Sequence, residues 1–108
     1  MKSIFAYILA FMLMALPPAA HADERQVKIS APACISKEWA DKIIDANADG
    51  DKEAFVKLAQ VGIASGKCIM LDQGERVFLE DSTFSGADAK VRRKGDVTDY
   101  WTFLGAVQ

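Results

Sequence analysis

Imidazole is nearly missing from this 108-residue chain. Its one histidine, His21, lies at the end of an apolar N-terminal segment, MKSIFAYILAFMLMALPPAAHA. There Lys2 precedes an unbroken apolar run from Ile4 to Leu16. Pro17 and Pro18 end any helix, and Ala20-His21-Ala22 supplies the small-x-small pattern accepted by signal peptidase. A spanning helix needs about 20 apolar residues, so the run is short for an uncleaved membrane anchor, the competing reading. Residues 1–22 therefore read as a signal peptide, cleaved after Ala22. Its removal takes the only imidazole with it, which excludes Ser-His and Cys-His nucleophilic catalysis, His-ligated zinc and imidazole proton shuttling in residues 23–108.

Excess positive charge is lacking too. Thirteen Lys and Arg stand against fifteen Asp and Glu, and Lys2 leaves with the leader. A net acidic chain is a poor default for a nucleic-acid binder or a polybasic membrane-surface protein. No stable membrane insertion is expected after signal cleavage. Thiols are equally few: Cys34 and Cys68 are the only two. They do not form a CxxC redox pair, and without histidine they cannot complete a zinc site. In an exported chain an even count reads as a disulfide, with two free buried thiols as the alternative. A bridge closing about 35 residues stabilises a fold by roughly 3–4 kcal/mol in the chain-entropy treatment. That is a large share for a domain too small to bury an extensive core.

What is present divides into three stretches. Residues 23–33, DERQVKISAPA, form a polar leader, either frayed or laid on the domain as a short strand, and are expected to become fixed only near Cys34. Residues 34–66 carry a helical pattern. Ser36 suits an N-cap, and Trp39, Ile43 and Ala46 recur at helical spacing with Ala40 and Ile44 alongside. That helix ends near Asn47. A second runs from about Asp51 to Ala64, with Phe55, Leu58, Ala59, Gly62 and Ile63 on its apolar face and Ser65-Gly66 as its stop. Equal helices joined by a short turn form an antiparallel hairpin, which returns Cys68 to the end where Cys34 began.

The turn contains DANADGDKEAF, residues 45–55, in which Asp45, Asn47, Asp49 and Gly50 imitate a calcium loop. Such a loop requires an apolar residue at its eighth position and a bidentate Glu at its twelfth. Counted from Asp45 these are Lys52 and Val56. A cation beside the ion and a missing principal ligand favour a plain turn, with Asp49 and Asp51 as N-cap candidates and Gly50 supplying a permissive φ. No metal or cofactor is expected.

After Gly66 the pattern becomes that of strands: KCIML (67–71), ERVFLED (75–81), AKVRRK (89–94) and TDYWTF (98–103), separated by turn-forming residues. GKCIMLDQGERVFLED followed by KVRRKGDVTDYWTFLGAV resembles a bacterial SH3-like small barrel. The shared features are a Gly before a short strand, a second Gly before the strand around Val77, and a late Tyr-Trp strand entering a Leu-Gly turn. The resemblance covers residues 67–108 and implies a binding module for protein or cell-wall ligands, with no binding residue transferred. The expected architecture is α+β, a helical hairpin packed on a small antiparallel SH3-like meander or barrel, with residues 34–108 as one folded unit.

Five residues are candidate partner contacts. Phe84 sits in a polar loop without a periodic reason, so it either folds back as a lid over the core or meets a partner. Tyr100 and Trp101 point to opposite faces. Trp101 and Phe103 are expected inside and Tyr100 nearer the surface, with the reverse register as the alternative. Lys90, Arg92 and Lys94 share one face of a strand, either as a solvated edge or as a site for an anionic partner. No carboxylate pair is marked by the sequence as buried, and so small a domain leaves little room for a catalytic cleft. These features describe an exported, periplasmic or secreted, non-catalytic binding module of the bacterial envelope that recognises a protein or a wall polymer. The rivals are an inhibitor or immunity-type protein of an envelope enzyme, and a structural accessory of an envelope or secretion assembly.

Overall fold

A computed structural model describes residues 23–82 and 87–108; the expected signal peptide lies outside the described residues. Two helices form where the periodicity places them, α1 over Lys37–Ala48 and α2 over Lys52–Ala64. The Ser36 hydroxyl accepts from Trp39 N at 3.2 Å, and the Asp51 carboxylate accepts from Ala54 N at 3.1 Å. Each satisfies one of the N–H groups that a helix start leaves unpaired. Asp45 and Asn47 belong to α1, and their carbonyls accept from Asp49 N and Gly50 N. Asp49 closes α1, contrary to its expected role as an N-cap, and Gly50 takes a φ of 71°. The segment 45–55 is a helix end, a turn and a helix start.

Six strands make one antiparallel sheet: β1 (Asp23–Gln26), β2 (Ala31–Cys34), β3 (Cys68–Leu71), β4 (Arg76–Ser82), β5 (Asp88–Arg93) and β6 (Asp99–Phe103), followed by a short helix, α3 (Leu104–Val107). Their spatial order is β1-β4-β5-β6-β2-β3. The polar leader follows the strand alternative and not the frayed one. Residues 23–33 supply an edge strand paired with β4, and most of β2, which lies inside the sheet between β6 and β3. Ala31 to Cys34 are buried throughout. Short small residues (APAC) give little hydrophobic periodicity, and their place is set by what packs around them. Residues 23–33 thus belong to the folded unit expected over 34–108.

The meander is interrupted as well. β4, β5 and β6 follow one another, but β3 pairs with β2 and lies four strands from β4. Across a flat sheet that separation is about 19 Å at the usual strand spacing. The link from Leu71 to Arg76 could span about 18 Å only if fully extended, yet it turns back, with Glu75 N donating to Asp72 O at 3.1 Å. The sheet must therefore coil strongly. It remains open, without a ladder closing β1 onto β3.

Inside the coil lies an aliphatic core of Val27, Leu71, Val77, Val91 and Val107, each at most 1% exposed, with Ala33, Ala89 and Tyr100. The helices cover the outer face, where Cys34, Cys68, Ala40 and Ile43 pack with Trp39, Phe55, Leu58, Trp101 and Phe103. This second layer explains why the aromatic register differs from expectation. Tyr100 and Thr102 point into the coil, whereas Trp101 and Phe103 lie under the helices. Pro32 is tolerated within the sheet for a local reason. Ile35 N donates to Lys67 O at 2.9 Å, so ladder alternation turns Cys34 and Pro32 toward β6. There the register of β2 with β6 is a single pair, Cys34 with Trp101. Pro32 loses no ladder bond, and its carbonyl accepts from the buried Thr102 hydroxyl at 2.9 Å.

Candidate binding surface

Cys34 and Cys68 are disulfide-bonded and stand directly opposite one another on β2 and β3. Helix α2 rests on the bond through Gly62. A Cβ added there would come within 2.5 Å of Cys68 Sγ and 2.8 Å of Trp39 Nε1. Trp39 Nε1–H donates to Leu58 O at 3.2 Å, which fixes the indole between the two helices. At this end of the hairpin a concavity of about 420 Å³ is lined by Ile35, Trp39, Lys42 and Lys67 among others. Lys67 Nζ lies 4.4 Å and Lys42 Nζ 5.3 Å from the indole centroid. Neither lysine has an ion-pair partner among the described residues. Ile35 is 54% exposed beside them. The hydroxyls of the concavity are committed to the backbone: Ser36 caps α1, and Ser65 donates to Val61 O and Gly62 O.

The basic cluster on β5 is arranged differently. Arg92 pairs with Glu80 at 3.0 Å, donates to Asp96 O and lies over the Phe78 ring. Arg93 pairs with Glu75, and Lys94 with Glu24 at 3.3 Å. Lys90 is half-buried, 5.9 Å from the Trp101 centroid. The expected shared face of Lys90, Arg92 and Lys94 exists, but two of its three charges are already answered by acids from neighbouring strands. Tyr100 is 8% exposed and belongs to the inner core, so it is corrected from a contact to a core residue. Aromatic residues occupy both faces of β6, which leaves the register unmarked in the sequence. Phe84 lies outside the described residues.

Burial singles out one carboxylate that the sequence leaves unmarked. Asp88, 5% exposed, starts β5, and Lys37 Nζ bridges it at 3.1 Å to Asp41 at 2.9 Å. Burial raises the Asp88 carboxyl above its ordinary value, and its hydrogen bond with Asp41 raises it further. The same hydrogen bond holds Asp41 below its ordinary value, aided by Lys37. One proton placed on Asp88 and donated to Asp41 satisfies both shifts. Lys37 also lies 5.6 Å from the Trp101 centroid, so the cluster clamps α1 to the outer face of the sheet. Asp41 and Asp88 are far apart in sequence, and only docking of the helix brings them together.

At the turn end of the hairpin a second concavity, about 440 Å³, is lined mainly by apolar side chains including Ile29, Pro32, Phe55 and Phe103. Its Ser30 hydroxyl accepts from Gln73 N at 3.0 Å. No helix among the described residues is long and apolar enough to cross a membrane. Comparison with protein families, curated proteins and solved structures finds no match to this chain.

Proposed function

We propose that the chain is an exported, non-catalytic binding module of the bacterial envelope that works in the periplasm or outside the cell by recognising a protein or wall partner. One observation carries the reading: an exposed Ile35 and two lysines without acidic partners among the described residues converge on a fixed indole, over a disulfide. Exposed apolar area beside charge, on a rigid support, suits recognition, because little ordering remains to be done on binding. The hydroxyls in both concavities serve the backbone, and the buried carboxyl of Asp88 is engaged with Lys37, which supports binding over turnover.

The test is affinity capture from a bacterial envelope extract with the disulfide-intact chain, beside Ile35→Ser and Phe84→Ala. A partner held by the parent and lost with Ile35→Ser is the expected result. Loss with Phe84→Ala alone would favour the inhibitor-type alternative acting through the segment around Phe84. Co-purification with a multi-protein assembly would favour the structural accessory. Substrate turnover by the purified chain, abolished by replacing one carboxylate, would overturn the reading.

A further inference from the structure

We infer that the surface formed by Ile35, Trp39, Lys42 and Lys67 docks an acidic segment of polypeptide that carries an aliphatic side chain among its carboxylates; this rests on the binding-module reading above. Lys37, Lys57, Lys94, Arg25, Arg92 and Arg93 all have carboxylate partners within the chain. Lys28, Lys52, Arg76 and Lys90 have none among the described residues, and neither do Lys42 and Lys67. Both instead lie over one indole, where the ring face holds an ammonium loosely enough to be shared with an incoming anion. Glu38, also in the lining, is the one acid there, and the pair of lysines leaves the surface net positive.

The kind of anion follows from what surrounds the charges. Lysine presents a compact point charge, suited to single carboxylates, whereas the planar fork of arginine favours bidentate recognition. Ile35, more than half exposed, offers an aliphatic contact that a hydroxyl-rich sugar chain would leave unmatched. A sugar would also need the open indole face, which the two ammonium groups overlay. Recognition of an anionic lipid surface draws on clusters of about four to eight basic residues, and this surface has two. An acidic peptide with an embedded Leu, Ile or Val answers both the charge and the apolar contact.

The experiment uses the disulfide-intact chain and a synthetic twelve-residue peptide of alternating Glu and Leu, followed by amide and indole NMR shifts. Expected is saturable binding that moves the Trp39 Nε1–H and Lys67 signals and weakens with added salt. Replacing every Glu by Gln in the peptide should weaken it at least tenfold. Lys42→Gln/Lys67→Gln should do the same, while Lys52→Gln leaves it unchanged; thermal melting confirms that the variants are folded. Should the double variant melt early, Lys42→Glu alone replaces it, with the same loss expected. Absence of saturable binding at Trp39, or indifference to the lysine changes, overturns the inference. So does Lys42- and Lys67-dependent binding of phosphatidylglycerol vesicles or soluble wall fragments where the peptide fails to bind. A captured envelope partner that ignores Lys42→Gln/Lys67→Gln would sink this assignment while leaving the binding module standing. Failure to capture any partner would count against the module itself.

Discussion

The two hydrophobic layers of the protein are held by different means. Inside the coiled sheet the side chains are aliphatic and shut off from water, with Leu71, Val77 and Val91 all at 0% exposure. Between sheet and helices most large side chains are aromatic and half-exposed, with Ile43 the buried aliphatic one among them, and a disulfide, an indole hydrogen bond and the Lys37 clamp add cohesion. Burial of apolar area scales with what is removed from water. The inner layer therefore sustains itself, whereas the outer one relies on specific cross-links. A layer of that second kind can leave aromatic and aliphatic surface open at its margins, and the Trp39 concavity lies at such a margin.

The sharpest way to test this contrast is one substitution made in both layers. Leu71→Ala should destabilise the fold by about 3–5 kcal/mol, in the upper range for a buried leucine whose surroundings cannot collapse. Leu58→Ala, on the half-buried outer face, should cost about 1–2 kcal/mol, because part of its cavity is open to water. Urea unfolding of the two variants measures the difference, and equal losses would erase the distinction between layers. Next in size is Cys34→Ser/Cys68→Ser, expected to lower stability by about 3 kcal/mol through the freed loop. Hydrogen exchange should rise first in α1 and α2, with β4 to β6 retaining protection. Uniform loss would show that the bond supports both layers alike.

The smallest effect concerns the clamp. Because the folded Asp88 carboxyl is raised above 3.8, the folded chain binds a proton there that the unfolded chain has released. Its contribution to stability is therefore full in acid and is lost as pH rises through the folded value. Asp41 and Asp96 are lowered, Asp96 chiefly by N–H groups of Thr98 and Val97. Their contributions are present above the ordinary Asp value and are lost as pH falls through the folded values. Asp88→Asn removes the first trend, keeps an N–H donor for Asp41 and leaves Asp96 untouched. The stability of the parent relative to this variant should fall as pH rises from 4 to 8, the direction set by the raised carboxyl. Parallel urea midpoints at the two ends would show that the carboxyl does not titrate in that interval.

Much of the scaffold is legible in the sequence because its signals are local. Ser36 and Asp51 announce helix starts through their own side chains, and Gly50 and Gly66 mark turns, with φ of 71° and 77°. The cysteine pairing follows from two helices of equal length. The features that escape sequence reasoning share a cause. β2 is a strand because β3 and β6 flank it, and APAC carries no periodicity to say so. Tyr100 and Trp101 both look able to face inward, and the helices on the outer face make both sites apolar. The candidate surface lies elsewhere than expected for the same reason. KVRRK is conspicuous as a run, but its arginines and last lysine meet acids elsewhere in the fold, while Lys42 and Lys67 stand 25 positions apart and meet only over Trp39. An off-pattern Ile35, between a core cysteine and a helix cap, is the one available hint.

By itself the sequence determined the α+β class, the helical hairpin, the turn at residues 45–55 and the disulfide, since each rests on spacing, capping or redox chemistry among neighbours along the chain. Strand order, the facing of Tyr100 and Trp101, the Asp41–Asp88 pair and the lysines gathered on Trp39 were decided only by tertiary structure. Those features depend on which surfaces meet when the sheet coils and the helices dock, and long-range packing of that kind leaves no periodic trace in the chain.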